Sequence, residues 1–271
     1  MGRLIGLMAT RADRLRDVFR QERSILSGKA AKRPDGWGLG FYQGGEILHK
    51  KRPQPGGEQV DWEEIAADIR THCAIAHVRQ ATVGDFRADN VHPFRMRQWL
   101  FAHNGTVDRF SAIRESLLEA MPDFLRRDVR GETDSEHVFH TILAFLHDAG
   151  QLDNPEVDDR AVIHAIRSTV SLLDRMSAEV GGKAGTLNLC ITNGQRMYAL
   201  RRGRPLVYVE REGIEEAAGD ERRGPRSLDK GLRYVLIVSD GTETPPPDFQ
   251  TVDEGTVLVV DRDVRVERVA L

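Results

Sequence analysis

Ala76–Thr82 (AHVRQAT), Phe101–Val107 (FAHNGTV) and Gly131–Glu136 (GETDSE) are the stretches whose reading decides the fold. An apolar run, Cys73–Ala76, ends in His77 and Arg79. A second, Trp99–Ala102, ends in His103-Asn104-Gly105. An acidic, hydroxyl-rich turn then opens a helix at Asp134, where Thr133-Asp134-Ser135-Glu136 is rich in cap formers. A strand ending in a charge, a strand ending in Asn-Gly and a helix start carrying a carboxylate suit a small zwitterion. Arg79 can grip a carboxylate with its planar fork. Asp134 can take an ammonium. The Asn104 side-chain amide and the Gly105 backbone N–H can hold an oxyanion. The group missing beside them is a nucleophile.

Each residue also has a plainer reading. Arg79 could form a surface ion pair, Asp134 could be only a helix cap, and Asn104-Gly105 could be a type I′ hairpin turn. Gly36, Gly38 and Gly40 lack the G-x-G-x-x-G spacing of a dinucleotide loop. His137 and His140 stand three apart on a helix without a third ligand at a metal-site spacing, so no metal and no cofactor is expected.

The chain has 271 residues, 40% of them hydrophobic and 30% charged, and a net charge of −3. That balance belongs to an ordinary globular protein and gives no electrostatic reason to expect nucleic acid or a membrane surface. No apolar run approaches the roughly 18 residues of a membrane span. The N-terminus lacks the apolar core of a signal peptide, so a cytoplasmic protein is expected. Cys73 and Cys190 each lie in an apolar run and read as buried thiols.

Outward from the three stretches, the patterns predict strands at Arg3–Met8, Gly36–Tyr42, Glu46–Lys51, Cys73–Val78 and Trp99–Ala102. Six more follow at Thr186–Thr192, Met197–Arg201, Leu206–Val209, Arg233–Val238, Val257–Val260 and Val264–Val269. Helical spacing covers Ala12–Leu26, Trp62–Ile69, Phe110–Met121, Asp134–Ala149 and Asp158–Val180. Lys29–Asp35, Pro122–Arg130, Glu212–Gly231 and Pro245–Pro247 read as loops, and Ala81–Gln98 as irregular. Strands gather at both ends with helices between, so the ends are expected to share sheets within one domain, 1–271.

Taken in order, Met1, Leu4 and Gly6, then DGWGLGFY (Asp35–Tyr42), AHVRQAT, NVHPF (Asn90–Phe94), FAHNG and GETDSE resemble the class II glutamine amidotransferases, which are N-terminal-nucleophile amidohydrolases. The likeness is greatest to the small stand-alone branch that cleaves γ-glutamyl amides. It implies an α+β fold, a four-layer αββα sandwich with two mainly antiparallel sheets between helix layers. It also implies that Arg79 holds the α-carboxylate of glutamine or a γ-glutamyl amide, that Asp134 holds the α-ammonium, and that Asn104 and Gly105 form the oxyanion hole. His77, Thr82 and His103 would line or brace the pocket. The partner implied is this small-molecule substrate. A synthetase chain or a second copy is compatible with the same family.

The sequence departs from the family at position 2. The family's nucleophile is a cysteine exposed when the initiator methionine is removed, with its own α-amine as base. Here the residue is Gly2, which has no side chain to form a thioester. Two accounts fit: an engineered Cys→Gly change, or a natural relative that binds without cleaving. Intact Arg79, Asn104, Gly105 and Asp134 favour the first.

Overall fold

Short apolar strands punctuated by Gly, Asn and Asp pair into two antiparallel sheets stacked face to face, with helices on the outer surfaces. The computed structural model describes residues 2–27, 34–54, 57–80, 85–214, 231–239 and 246–271. In chain order its strands are β1 (Arg3–Ala9), β2 (Gly36–Gln43), β3 (Glu46–Pro53), β4 (Cys73–Arg79), β5 (Phe94–Met96), β6 (Trp99–Thr106), β7 (Thr186–Thr192), β8 (Met197–Arg201), β9 (Leu206–Glu212), β10 (Arg233–Ser239), β11 (Gln250–Thr251), β12 (Thr256–Val260) and β13 (Val266–Ala270). The helices are α1 (Leu15–Gln21), α2 (Arg23–Leu26), α3 (Trp62–Ile65), α4 (Phe110–Glu119), α5 (Asp123–Arg126), α6 (Asp134–Asp148) and α7 (Asp159–Glu179). One sheet runs β11-β9-β10-β1-β4-β2-β3 and the other β13-β12-β8-β7-β6-β5. This is the expected four-layer α+β sandwich.

Period-two alternation along each strand sets the layers. Leu4 and Met8 of β1, Cys73 and Ile75 of β4, and Leu100 and Ala102 of β6 point into the space between the sheets. Their neighbours Ile5, Leu7, Ala74, Ala76 and Val78 face the other way, onto Leu15, Val18, Phe19 and Trp62. Trp99 and Phe101 face Phe139, Ile142, Leu143 and Ile166 of the long helices. Each fully buried large apolar side chain contributes roughly 1.5–3 kcal/mol, against about 0–1 for an exposed ion pair. The three apolar layers therefore hold the sandwich.

Several boundaries differ from the sequence reading. The expected helix Ala12–Leu26 is a 3-10 turn followed by α1 and α2, broken at Glu22. The Glu22 carboxylate is drawn inward to accept from Tyr234 Oη at 2.6 Å and Arg211 Nε at 3.0 Å. The expected helix Trp62–Ile69 is the single turn α3, capped by Asp61. The loop after Pro122 contains α5. Within the stretch read as irregular, β5 pairs with β6. The last strand begins at Val266 because Val264 sits at φ 58, a region that strands do not use.

The largest correction concerns β6. It does not stop before Asn104 but continues to Thr106, with Asn104 opposite Asn188 and Gly105 opposite Leu187. Asn104-Gly105 is thus extended strand, and no I′ turn forms there. Glycine is required at 105 because a Cβ would fall inside contact distance of Thr186 O. Thr82 lies outside the described residues, as do most of the expected loops Lys29–Asp35 and Glu212–Gly231 and the start of Pro245–Pro247.

Candidate functional site

The end of the sandwich where β1 starts and β4 and β6 finish carries a cleft lined by Gly2, His77, Arg79, Asn90, His92, Asn104, Gly105 and Asp134, among others. Alternation explains how they meet. His77 and Arg79 continue the Cys73–Ile75 face of β4 into the space between the sheets, and Asn104 continues the Leu100–Ala102 face of β6. Leu4 pairs with His77, and Arg3 with Val78, which brings Gly2 beside the end of β4.

The Asn104 side chain is 7% exposed. Its Nδ2 donates to Gly2 O at 2.8 Å and to Ser239 Oγ at 2.8 Å. Ser239 Oγ also accepts from Leu4 N at 2.9 Å. A residue at the end of β10 therefore ties the oxygen-facing amide of β6 to the start of β1. Only a hydroxyl ending the apolar run Arg233–Val238 marks Ser239 in the sequence.

Asp134 is the first residue of α6, after the Thr133 cap, whose hydroxyl accepts from Glu136 N at 3.3 Å. Its Oδ2 accepts from Val107 N at 2.9 Å and its Oδ1 from Ser135 N at 2.8 Å. Oδ1 also accepts from Ser135 Oγ at 3.4 Å, so it is Oδ2 that keeps a lone pair for a further donor. The residue is both an anchor of the β6–α6 connection and an open acceptor in the cleft.

Arg79 is buried, and its Nη1 donates to Asp85 O at 3.3 Å. The same carbonyl accepts from Asn90 Nδ2 at 3.0 Å, and Asn90 Oδ1 accepts from Glu132 N at 2.9 Å. Asn90 thereby joins the segment beside Arg79 to the turn that delivers Asp134. Glu136 pins that turn from the other side, accepting from Arg130 N and Gly131 N. In the sequence Asn90 stands out only as the first residue of the NVHPF motif, with nothing local to mark this task.

His77 and His103 divide. His77 faces the cleft and stacks on His92, with ring centroids 4.2 Å apart. His103 projects from the opposite face of β6 and also lines the cleft. Its Nδ1 lies 2.9 Å from Ser135 Oγ and its Nε2 3.2 Å from Thr186 O, so it braces α6 against β6.

Burial sets the electrostatics. It lowers His77 to about 3, with His103 and the Arg79 guanidinium acting in the same direction. It holds His92 well below the usual histidine range, helped by His77 and His103. His103 is also lowered by burial, against the opposing pull of Asp134. At neutral pH the cleft therefore sets uncharged imidazoles beside Arg79 and Asp134. Such a set can hold an α-amino acid by both charged ends.

Neither cysteine can act here. Both are buried free thiols. Burial pushes Cys73 up to about 12, and its Sγ lies 3.3 Å from Thr192 Oγ1. Cys190 is raised for the same reason. Among the described residues no group of three or more His, Cys, Asp or Glu is placed to hold a metal ion, and no helix is long and apolar enough to cross a membrane.

A family model described as class-II glutamine amidotransferases matches residues 1–217. The chain is 31% identical over 231 residues to "Putative glutamine amidotransferase YafJ" of Escherichia coli, covering 83% of this chain and 78% of that protein. Over 76 residues it is 41% identical to "Gamma-glutamyl-hercynylcysteine sulfoxide hydrolase" of Mycobacterium tuberculosis, covering 28% of this chain and 33% of that one. A solved glutamine aminotransferase class-II domain protein from Silicibacter pomeroyi superposes with a TM-score of 0.62 at 19% identity, covering 99% of both chains.

Proposed function

The chain belongs to the class II glutamine amidotransferases, and from that premise we propose that its cleft binds glutamine or a γ-glutamyl amide. Arg79 takes the α-carboxylate and Asp134 the α-ammonium. The γ-carbonyl points toward Asn104 and Gly105, beside Gly2. The observation that carries this reading is that Arg79, Asp134 and Asn104, far apart in sequence, line one cleft against residue 2. The names of two relatives, an amidotransferase and a γ-glutamyl hydrolase, agree with it.

With a cysteine at position 2 and the methionine removed, the expected chemistry is attack of the thiolate on the γ-carbonyl carbon. The amide nitrogen leaves as ammonia or an amine, taking up the proton, and water then cleaves the thioester to release the glutamyl product. Gly2 has no atom for the first step, so the chain as it stands is an inactive nucleophile variant. The otherwise complete binding set supports an engineered Cys→Gly change.

One observation favours the second reading, a natural γ-glutamyl-binding protein. A Cβ on Gly2 would stand 2.5 Å from Val78 O and 3.0 Å from His77 Cε1. The backbone around residue 2 is closed on a glycine, and a side chain there requires a shift of the chain's first residues.

Calorimetric titration with L-glutamine tests the binding claim common to both. Saturable binding that is lost in both Arg79→Ala and Asp134→Asn supports it. Absence of binding, or binding unchanged in these variants, refutes it.

A further inference from the structure

His92 is 5% exposed and His77 4%. Among the described residues, neither ring nitrogen of His92 has a hydrogen-bond partner, and Nδ1 of His77 has none. Buried polar atoms are satisfied almost everywhere in folded proteins, so three orphans on two touching rings mark a place built for something else. Both residues line the cleft. The His77 ring is also the side chain nearest to where a substituent on Gly2 would project, with Nε2 3.1 Å from that point. His92 is fixed from behind by Phe94, whose ring lies 4.7 Å away edge to face.

We propose that the His77–His92 pair receives the γ-substituent of the bound ligand and selects a neutral carboxamide over a carboxylate, an inference that rests on the glutamyl-binding reading above. A neutral imidazole carries one N–H and one lone pair. A carboxamide whose carbonyl is directed to Asn104 and Gly105 still offers its N–H donors to an imidazole lone pair. A carboxylate offers acceptors only. It would set its lone pairs against an imidazole lone pair, in a buried place where neither ring supplies a positive charge. The low proton affinity of both rings, a consequence of their burial, keeps them neutral at physiological pH. The cleft thus tells a γ-glutamyl amide from the glutamate that its hydrolysis yields.

The test compares L-glutamine and L-glutamate by calorimetry at pH 7.5 on the full chain and on His92→Phe, which keeps a ring for stacking and removes both nitrogens. The full chain should bind glutamine at least about tenfold tighter than glutamate, and the variant should lose most of that ratio. A ratio near one in the full chain overturns the inference while leaving the binding reading intact. Binding of neither ligand overturns both. A ratio unchanged in a folded His92→Phe protein also overturns the inference. Should that variant fail to fold, nitrogen-15 histidine spectra of the unaltered chain decide: glutamine must shift the ring-nitrogen signals of His92, and unmoved signals refute its role.

Discussion

Asn104 Nδ2 donates to the carbonyl oxygen of Gly2 at 2.8 Å, so the amide expected to hold an oxyanion is already engaged with the residue proposed to stand in the nucleophile's place. Its second proton goes to Ser239 Oγ. An incoming γ-carbonyl must therefore share or displace one of these acceptors. The same pair of bonds fixes the start of β1 against the ends of β6 and β10.

Ser239→Ala removes the acceptor of both Leu4 N and one Asn104 proton at a site where Ser239 is 1% exposed. Buried donors left unpaired cost about 1–3 kcal/mol. Urea unfolding should show that loss. An unchanged midpoint would mean that the two donors find other partners.

The buried histidines make stability depend on pH. His77, His92 and His103 are all lowered in the folded chain, whereas in the unfolded chain they take up protons near pH 6.5. Below that pH the unfolded state binds more protons, so stability falls as pH falls, from about 6.5 toward the folded values. Each such group can contribute up to about 1.4 kcal/mol per pH unit in that window. The melting temperature should drop between pH 7 and pH 5, and less steeply in His92→Phe. Equal slopes would rule out His92 as a contributor.

Much of this site is legible in the sequence because charge and polarity interrupt apolar runs there. Arg79, Asp134 and Asn104 stand out in that way, and the structure brings all three to one cleft. The fold follows from strand lengths and alternation, and β7 and β8 have the predicted bounds. What the sequence hides depends on tertiary partners. Asn-Gly reads as a turn, but pairing with β7 draws it into strand and overrides local preference. Ser239 and Asn90 act through bonds to residues 135 and 42 positions away. The break at Glu22 depends on Tyr234, from the other end of the chain.

That carboxylate gives a further prediction. Glu22 is 3% exposed and accepts from Tyr234 Oη and Arg211 Nε, and Arg211 also pairs with Asp248. Glu22→Ala leaves a buried phenol without its acceptor and Arg211 with Asp248 alone. A buried donor left unpaired costs about 1–3 kcal/mol. Tyr234→Phe, which removes one donor to Glu22 and the acceptor of Gln21 Nε2, should cost clearly less. Equal losses would point to packing instead of the polar network.

Glutamate release by the Gly2→Cys protein, with mass spectrometry showing its N-terminal methionine removed, tests the central claim most directly. The account predicts turnover of L-glutamine or a γ-glutamyl amide that is absent in the Gly2 chain and vanishes again when Arg79→Ala is added. A processed, folded Gly2→Cys protein that binds glutamine yet releases no glutamate would contradict the claim that only a nucleophile is missing, and would leave a chain whose task is binding.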